Sequence, residues 1–229
     1  IGGTDSDTLW LDDQYTESGS DTLYPTFTVD LGDGTVQSSD GDTDSVSGVE
    51  AVVGSGGADS FVGGSGSDTF YGDSEIFSDG GDDTFVLGQG GADYVFGGDG
   101  VNLVSFADYP GFENMGDTLG VTVDLGDTGA QAYAPNMSVA IDSVANLTGS
   151  AHADVLAGNS DGNVIRGLGG DDSILGAYGN DCLFGNAGDD TIDASDDTSD
   201  GVDTVYGGAG ADCLFGYADF DWVSYGEAT

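Results

Sequence analysis

One nine-residue phrase, Gly-Gly-x-Gly-x-Asp-x-apolar-x, recurs along this chain and is clearest in Gly63–Tyr71 and Gly207–Phe215. Its first half reads as a glycine-rich turn and its second as a short strand with one inward side chain, so two phrases in succession describe one coil of a solenoid. With the aspartate as position six, fifteen copies can be placed, at Asp7, Asp21, Asp59, Asp68, Asp83, Asp93, Asn102, Asp154, Asn163, Asp172, Asp181, Asp190, Asp203, Asp212 and Asp221. Position eight is apolar in every copy: Leu9, Leu23, Phe61, Phe70, Phe85, Val95, Val104, Leu156, Ile165, Ile174, Leu183, Ile192, Val205, Leu214 and Val223. This pattern predicts an all-β fold, a right-handed parallel β-roll with short intervening β segments.

Position four is glycine in eleven copies, and the exceptions, Asp5, His152, Asp161 and Asp219, fall mostly at the ends of runs, where capping units depart from the consensus. Insertions after Trp10, Tyr71 and Asp193 are expected to project as loops without breaking the stack. Two longer segments resemble each other: Phe27–Asp33 matches Val121–Asp127, and Val49–Ser55 matches Val144–Ser150. The block ends Leu103–Phe106 and Trp222–Tyr225 also correspond. We therefore expect two tandem modules. The first is 1–105, with partial repeats over 1–24, a β segment over about 25–53 and a roll over about 54–105. The second is 106–229, with a β segment over 106–148 and a roll over 149–229.

The charge balance limits the partners. The chain carries 43 acidic residues against one basic residue, Arg166, for a formal net charge of -42. Phosphate backbones require lysine and arginine, so nucleic acid is excluded, and a bare anionic membrane surface is excluded for the same reason. Hydrophobic content of 38% and aromatic content of 10% exceed what a solvating acidic tail carries, so the chain is expected to order itself once its charge is neutralised. No apolar run is long enough to span a membrane, and we expect the sequence to be a window of a longer protein.

The spacing also names the counterion. Stacked coils lie about 4.8 Å apart. Position six of one turn then lies over position six eighteen residues on, Asp154 over Asp172 and Asp190, and Asn163 over Asp181. A cation between such turns meets carboxylate oxygens and backbone carbonyls, with no nitrogen or thiolate. That set suits calcium better than magnesium or zinc. All fifteen position-six residues are accordingly candidate metal ligands, and multiple calcium ions are the expected cofactor.

The arrangement resembles the RTX, or hemolysin-type calcium-binding, repeat proteins secreted by bacteria. The resemblance implies a chain that stays unfolded in low-calcium cytosol and folds outside the cell, and an extracellular or cell-surface location. It leaves the parent protein open, since the family carries such repeats on toxins, proteases, lipases, epimerases and adhesins. The favoured function is a calcium-dependent structural segment, a stiff stalk, adhesin or matrix element. The alternative is an accessory module of a secreted enzyme or toxin.

Other constellations are weaker. Asp40, Asp42 and Asp44 with Glu50 faintly suggest a calcium loop, but Ser45 stands where the loop glycine belongs and the closing glutamate falls one residue early. His152 is expected to be a cap residue. No lysine exists to complete a phosphate loop and no positioned base completes a nucleophilic triad, so no enzyme activity is expected. Positions seven and nine point outward. In the second block they place Val164, Arg166, Cys182, Phe184, Thr204, Tyr206 and Trp222 on one face and Ala157, Leu175, Thr191, Asp193, Cys213 and Phe215 on the other. The aromatic face (Phe184, Tyr206, Trp222) is a candidate contact surface for self-assembly, neighbouring modules or sugar stacking, unless an intervening β segment covers it. Cys182 and Cys213 fall on opposite faces, which disfavours an internal disulfide.

Overall fold

A computed structural model describes residues 6–11, 16–18, 21–23, 25–73, 80–87, 90–110, 119–134, 137–194, 201–216 and 222–225. Regular structure among them is entirely β. They divide into two compact units, Ile1–Val104 with Asn136–Val144, and Ser105–Pro135 with Ala145–Thr229.

In the first unit, strands Thr8–Trp10, Ala51–Val53, Thr69–Tyr71, Gly91–Phe96 and Met137–Asp142 pair in that order, all parallel. A second sheet runs Phe27–Asp30, Ser60–Val62, Thr84–Val86, Leu103–Ser105. Beside Phe27–Asp30 it continues antiparallel through Thr35–Ser38 and Thr43–Ser45. In the second unit, Asn146–Thr148, Val164–Gly169, Cys182–Ala187, Thr204–Ala209 and Trp222–Ser224 form one parallel sheet. Leu119–Asp124, Ala153–Ala157, Ser173–Leu175, Thr191–Asp193 and Cys213–Phe215 form the other. The parallel β-roll read from the repeat is the fold of both units.

The register explains why position eight is always apolar. Leu156, Ile174 and Ile192 pair in line, as do Ile165, Leu183 and Val205, and all six are fully or almost fully buried. In the first unit the column is aromatic: Phe61 and Phe85 stack at 5.1 Å, and Phe70 packs at 5.6 Å from Phe61. Among the described residues of the intervening segments, Phe27–Asp30, Ala51–Val53, Leu119–Asp124 and Asn146–Thr148 form coils of the roll. Val29, Val123, Val52 and Leu147 take the position-eight places of these coils and are buried. They contribute the same apolar burial, about 1.5–3 kcal/mol per side chain, as the repeats proper.

One copy departs from the expected coil. Strand Asp21–Leu23 pairs antiparallel with Thr16–Ser18 instead of joining a parallel sheet. Thr16 and Glu17 stand where the phrase has its two leading glycines. With ordinary residues there, the turn half of the phrase takes extended backbone and pairs locally. The insertions after Trp10, Tyr71 and Asp193 fall largely outside the described residues, at 12–15, 74–79 and 195–200. The pairing nevertheless continues across the last two: Thr84–Val86 pairs with Ser60–Val62, and Thr204–Ala209 with Cys182–Ala187.

Candidate metal centre

Eleven of the fifteen position-six side chains turn inward among the described residues. Asp59, Asp68, Asp83, Asp93, Asn102, Asp154, Asn163, Asp172, Asp181, Asp190 and Asp203 are all buried. Asp7 and Asp212 are half-buried, the Asp21 side chain and the whole of Asp221 lie outside the described residues. A buried carboxylate must find donors or a cation, and the donors can be counted.

The first donor is the amide of the preceding coil. Asp154 N–H donates to Asp172 Oδ1 at 2.8 Å, Asp172 N–H to Asp190 Oδ1 at 2.9 Å, and Asp190 N–H to Asp212 Oδ1 at 3.1 Å. On the other edge Asn163 donates to Asp181 and Asp181 to Asp203, both at 2.8 Å. The first unit repeats this, Asp59 to Asp83 at 2.8 Å, Asp83 to Asn102 at 2.9 Å and Asp68 to Asp93 at 3.0 Å. At the heads of two rows an intervening strand supplies the amide: Phe27 N–H to Asp59 at 2.6 Å and Val121 N–H to Asp154 at 2.7 Å.

The second oxygen divides the row. At Asp154, Ser150 N–H donates to Oδ2 at 2.6 Å, and at Asp59, Ser55 N–H does so at 2.7 Å. At Asp83, Asp172 and Asp190, Oδ2 is buried and receives no hydrogen bond. Its surroundings are acceptors as well. A methyl built on Gly167 would lie 2.0 Å from Asp172 Oδ2 and 2.9 Å from Gly185 O. On Gly185 it would lie 2.1 Å from Asp190 Oδ2 and 2.5 Å from Gly207 O, and on Gly72 2.1 Å from Asp83 Oδ2 and 2.3 Å from Gly97 O. Only glycine fits at that first position, because a carboxylate oxygen and the next coil's carbonyl converge on the space of its Cβ. Two acceptors facing each other with no donor group between them are the complement of a hard cation.

Charge compounds the effect. Burial pushes the Asp83 and Asp172 carboxyls up to about 8, Asp93 to about 7 and Asp59 to about 6, and raises Asp68, Asp154 and Asp190 as well. Neighbouring carboxylates add to it; Asp172 feels Asp154, Asp190 and Asp171. Without a cation Asp83 and Asp172 hold protons near neutrality. Among the described residues no three His, Cys, Asp or Glu side chains cluster as a metal site. Carboxylate pairs must therefore be completed by backbone carbonyls, as calcium's preference for six to eight oxygens allows. The residues fit calcium, and the position-six carboxylates with the position-one glycine carbonyls are what would hold it.

Position five carries a second ladder that the repeat phrase leaves as "x". Asp189 N–H donates to Asp171 Oδ1 at 2.9 Å, Ala211 N–H to Asp189 Oδ1 at 2.8 Å, Val202 N–H to Asn180 Oδ1 at 2.8 Å and Val101 N–H to Asp82 Oδ1 at 2.8 Å. These bonds run in the opposite sense to the position-six ladder. Coils are thus stitched both ways through adjacent residues. Glu50 is a further member missed in the sequence: Asp7 N–H donates to Glu50 Oε2 at 3.0 Å, and Thr69 N–H to Glu50 O. It takes position six of the coil whose position eight is Val52, and only its apolar register, not its residue type, marks it.

The weaker candidates do not assemble. Asp40, Asp42 and Asp44 are exposed, and Glu50 is engaged with Asp7. His152 stacks edge-on against Tyr109 with ring centroids 6.3 Å apart, and its amide donates to Ser150 Oγ. Cys182 and Cys213 are free thiols in opposite sheets. On the outer face Arg166 sits 5.0 Å over the Phe184 ring, which stacks on Tyr206 at 5.1 Å and 2°. Among the described residues no helix is long and apolar enough to cross a membrane.

Comparison with known families gives four matches to one description, the RTX calcium-binding nonapeptide repeat, over residues 44–84, 148–181, 157–192 and 197–223. No curated protein matches the chain. The matched stretches contain Asp83, Asp172 and Asp190, whose buried Oδ2 atoms receive no hydrogen bond, and over those stretches the chain carries RTX calcium-binding nonapeptide repeats.

Proposed function

We propose that this chain is a calcium-dependent structural segment of a secreted bacterial protein, folding as calcium enters its turns and serving outside the cell as a stiff stalk, adhesin or matrix element. The buried, donor-less Oδ2 atoms of Asp83, Asp172 and Asp190 carry the reading, since the fold supplies them no hydrogen-bond donor. By repeat equivalence the ligand set extends to the position-six carboxylates of the other coils. Each ion removes repulsion within a row of carboxylates and adds its binding free energy to folding. Two tandem modules, 1–105 and 106–229, are the organisation we favour. The row of Arg166, Phe184 and Tyr206, with Trp222 76% exposed, supports a lateral contact surface between copies or neighbouring modules.

The same flat, stacked row favours a second reading, an accessory module of a secreted enzyme that binds polysaccharide by ring stacking. Calcium titration followed by circular dichroism and light scattering tests both. A cooperative rise in β signal at roughly 0.1–1 mM calcium is expected, that being the range of extracellular calcium modules. Growth of particle mass with the transition supports assembly, and constant mass favours the accessory role. Full β structure in excess chelator would overturn the calcium-dependent mechanism.

A further inference from the structure

Two copies of the repeat carry asparagine at position six, and their amides face opposite ways. In Asn163, Oδ1 takes the cation-facing place: a methyl on Gly158 would lie 2.2 Å from Asn163 Oδ1 and 2.3 Å from Gly176 O. Its Nδ2 donates away from that place, to Ala145 O at 2.6 Å and Asn159 Oδ1 at 3.0 Å. In Asn102 the arrangement is reversed. A methyl on Gly97 would lie 2.1 Å from Ser143 O and 2.6 Å from Asn102 Nδ2. The amide nitrogen donates to Ser143 O at 3.2 Å and to Asp99 O at 3.1 Å, while Oδ1 accepts the Asp83 amide at 2.9 Å.

Neither amide can be turned over. Flipping Asn102 would set its oxygen against two carbonyls and its nitrogen against the Asp83 N–H. Flipping Asn163 would set its oxygen against Ala145 O and its nitrogen against the Asn159 N–H that now donates to Oδ1 at 2.9 Å.

We propose that Asn102 is a built-in substitute for calcium, its carboxamide protons filling the place between two carbonyls that an ion fills elsewhere, whereas Asn163 is an uncharged calcium ligand. The two asparagines share one motif position and have opposite roles. Asn102 is fully buried and Ser143 O is the acceptor that faces it from the next coil, so the amide closes the row that begins at Asp59 and passes through Asp83. A turn closed by a hydrogen-bonded amide needs no ion. The inference rests on the calcium reading above.

Native mass spectrometry of the 229-residue chain in calcium counts the ions directly. N102D is expected to bind one ion more than the parent, because a carboxylate replaces the two donors. N163D is expected to bind the same number as the parent, with half-saturation at lower calcium. Equal counts in N102D and the parent, or an added ion in N163D, would overturn the inference while leaving calcium binding intact. A parent that binds no calcium would overturn both readings together. Should N102D fail to fold, side-chain amide exchange in the calcium-loaded parent decides: slow exchange of both Asn102 carboxamide protons is expected, and fast exchange excludes the substitution.

Discussion

Asp172 receives the Asp154 amide on Oδ1 at 2.8 Å and holds Oδ2 buried with no donor, so one side chain joins one coil by a hydrogen bond and keeps its other oxygen without one. Asp171 beside it accepts the Asp189 amide at 2.9 Å from an exposed position. Replacing Asp172 by alanine strands the Asp154 N–H in the interior, at about 1–3 kcal/mol, and removes the carboxylate proposed above to hold calcium. Replacing Asp171 by alanine frees an amide that water can reach, at about 0.5–1.5 kcal/mol at most. Calcium titrations of the two variants followed by circular dichroism are expected to show a midpoint raised about tenfold or more in D172A and little moved in D171A. Equal midpoints would mean that the position-six carboxylate is not a ligand.

Acid and calcium act on the same groups. Burial holds the Asp83 and Asp172 carboxyls at about 8 and Asp93 at about 7 in the fold, above the ordinary 3.8. The folded chain therefore binds more protons than the unfolded chain between pH 3.8 and about 8. The contribution of these groups to the metal-free fold is present below that window and lost as pH rises through it. In chelator, β signal is expected to grow as pH falls from 8 toward 4. In calcium the dependence reverses, because ions must displace those protons, and the calcium midpoint should rise on acidification. A metal-free β signal that falls with acid would contradict the burial of these carboxylates.

The roll itself is legible in the sequence because in its inner coils one side chain per phrase, at position eight, meets the core. Ile174 and Leu183 could be placed from spacing alone. The intervening coils were harder: Val29, Val52, Val123 and Leu147 occupy the same column without the Gly-Gly-x-Gly-x-Asp turn, so only their mutual likeness marked them as β. Copies with the motif aspartate also proved unequal. Asp21 lacks leading glycines and enters an antiparallel pair, while Glu50 lacks the aspartate and joins the row. The position-five ladder was invisible because Ser67, Asp82, Asn180 and Asp189 share hydrogen-bonding capacity but no residue type. Ser67 Oγ, for one, accepts the Ala92 amide at 2.9 Å.

Gly188 tests how closely the coils approach. Its φ is 148°, and a methyl there would lie 1.9 Å from Gly170 O of the coil before. Alanine at 188 combines backbone strain of about 1–3 kcal/mol with overpacking of about 1–3 kcal/mol. G188A is expected to need severalfold more calcium for half-folding and to unfold at lower denaturant in saturating calcium. An unchanged urea midpoint would show that the turns have more room than the fold provides.

The opposite substitution should stabilise at position two. Leu168 and Ala177 adopt φ of 81° and 70°, where Gly208 at the equivalent place of a later coil has 110°. A left-handed conformation costs a residue with a side chain about 1–2 kcal/mol, and glycine adopts it freely. Part of that gain is offset by the greater freedom of glycine in the unfolded chain, about 0.4–1 kcal/mol. Ala177 is the cleaner case, since removing one methyl leaves little packing to lose, whereas Leu168 also gives up a half-buried side chain. A177G is expected to raise the urea midpoint in calcium by a margin matching up to about 1 kcal/mol and to lower the calcium needed for folding. L168G should gain less or lose. If A177G destabilises the calcium-loaded chain, Ala177 does not hold the left-handed backbone in solution, and the turn from Gly176 to Gly179 closes by another route.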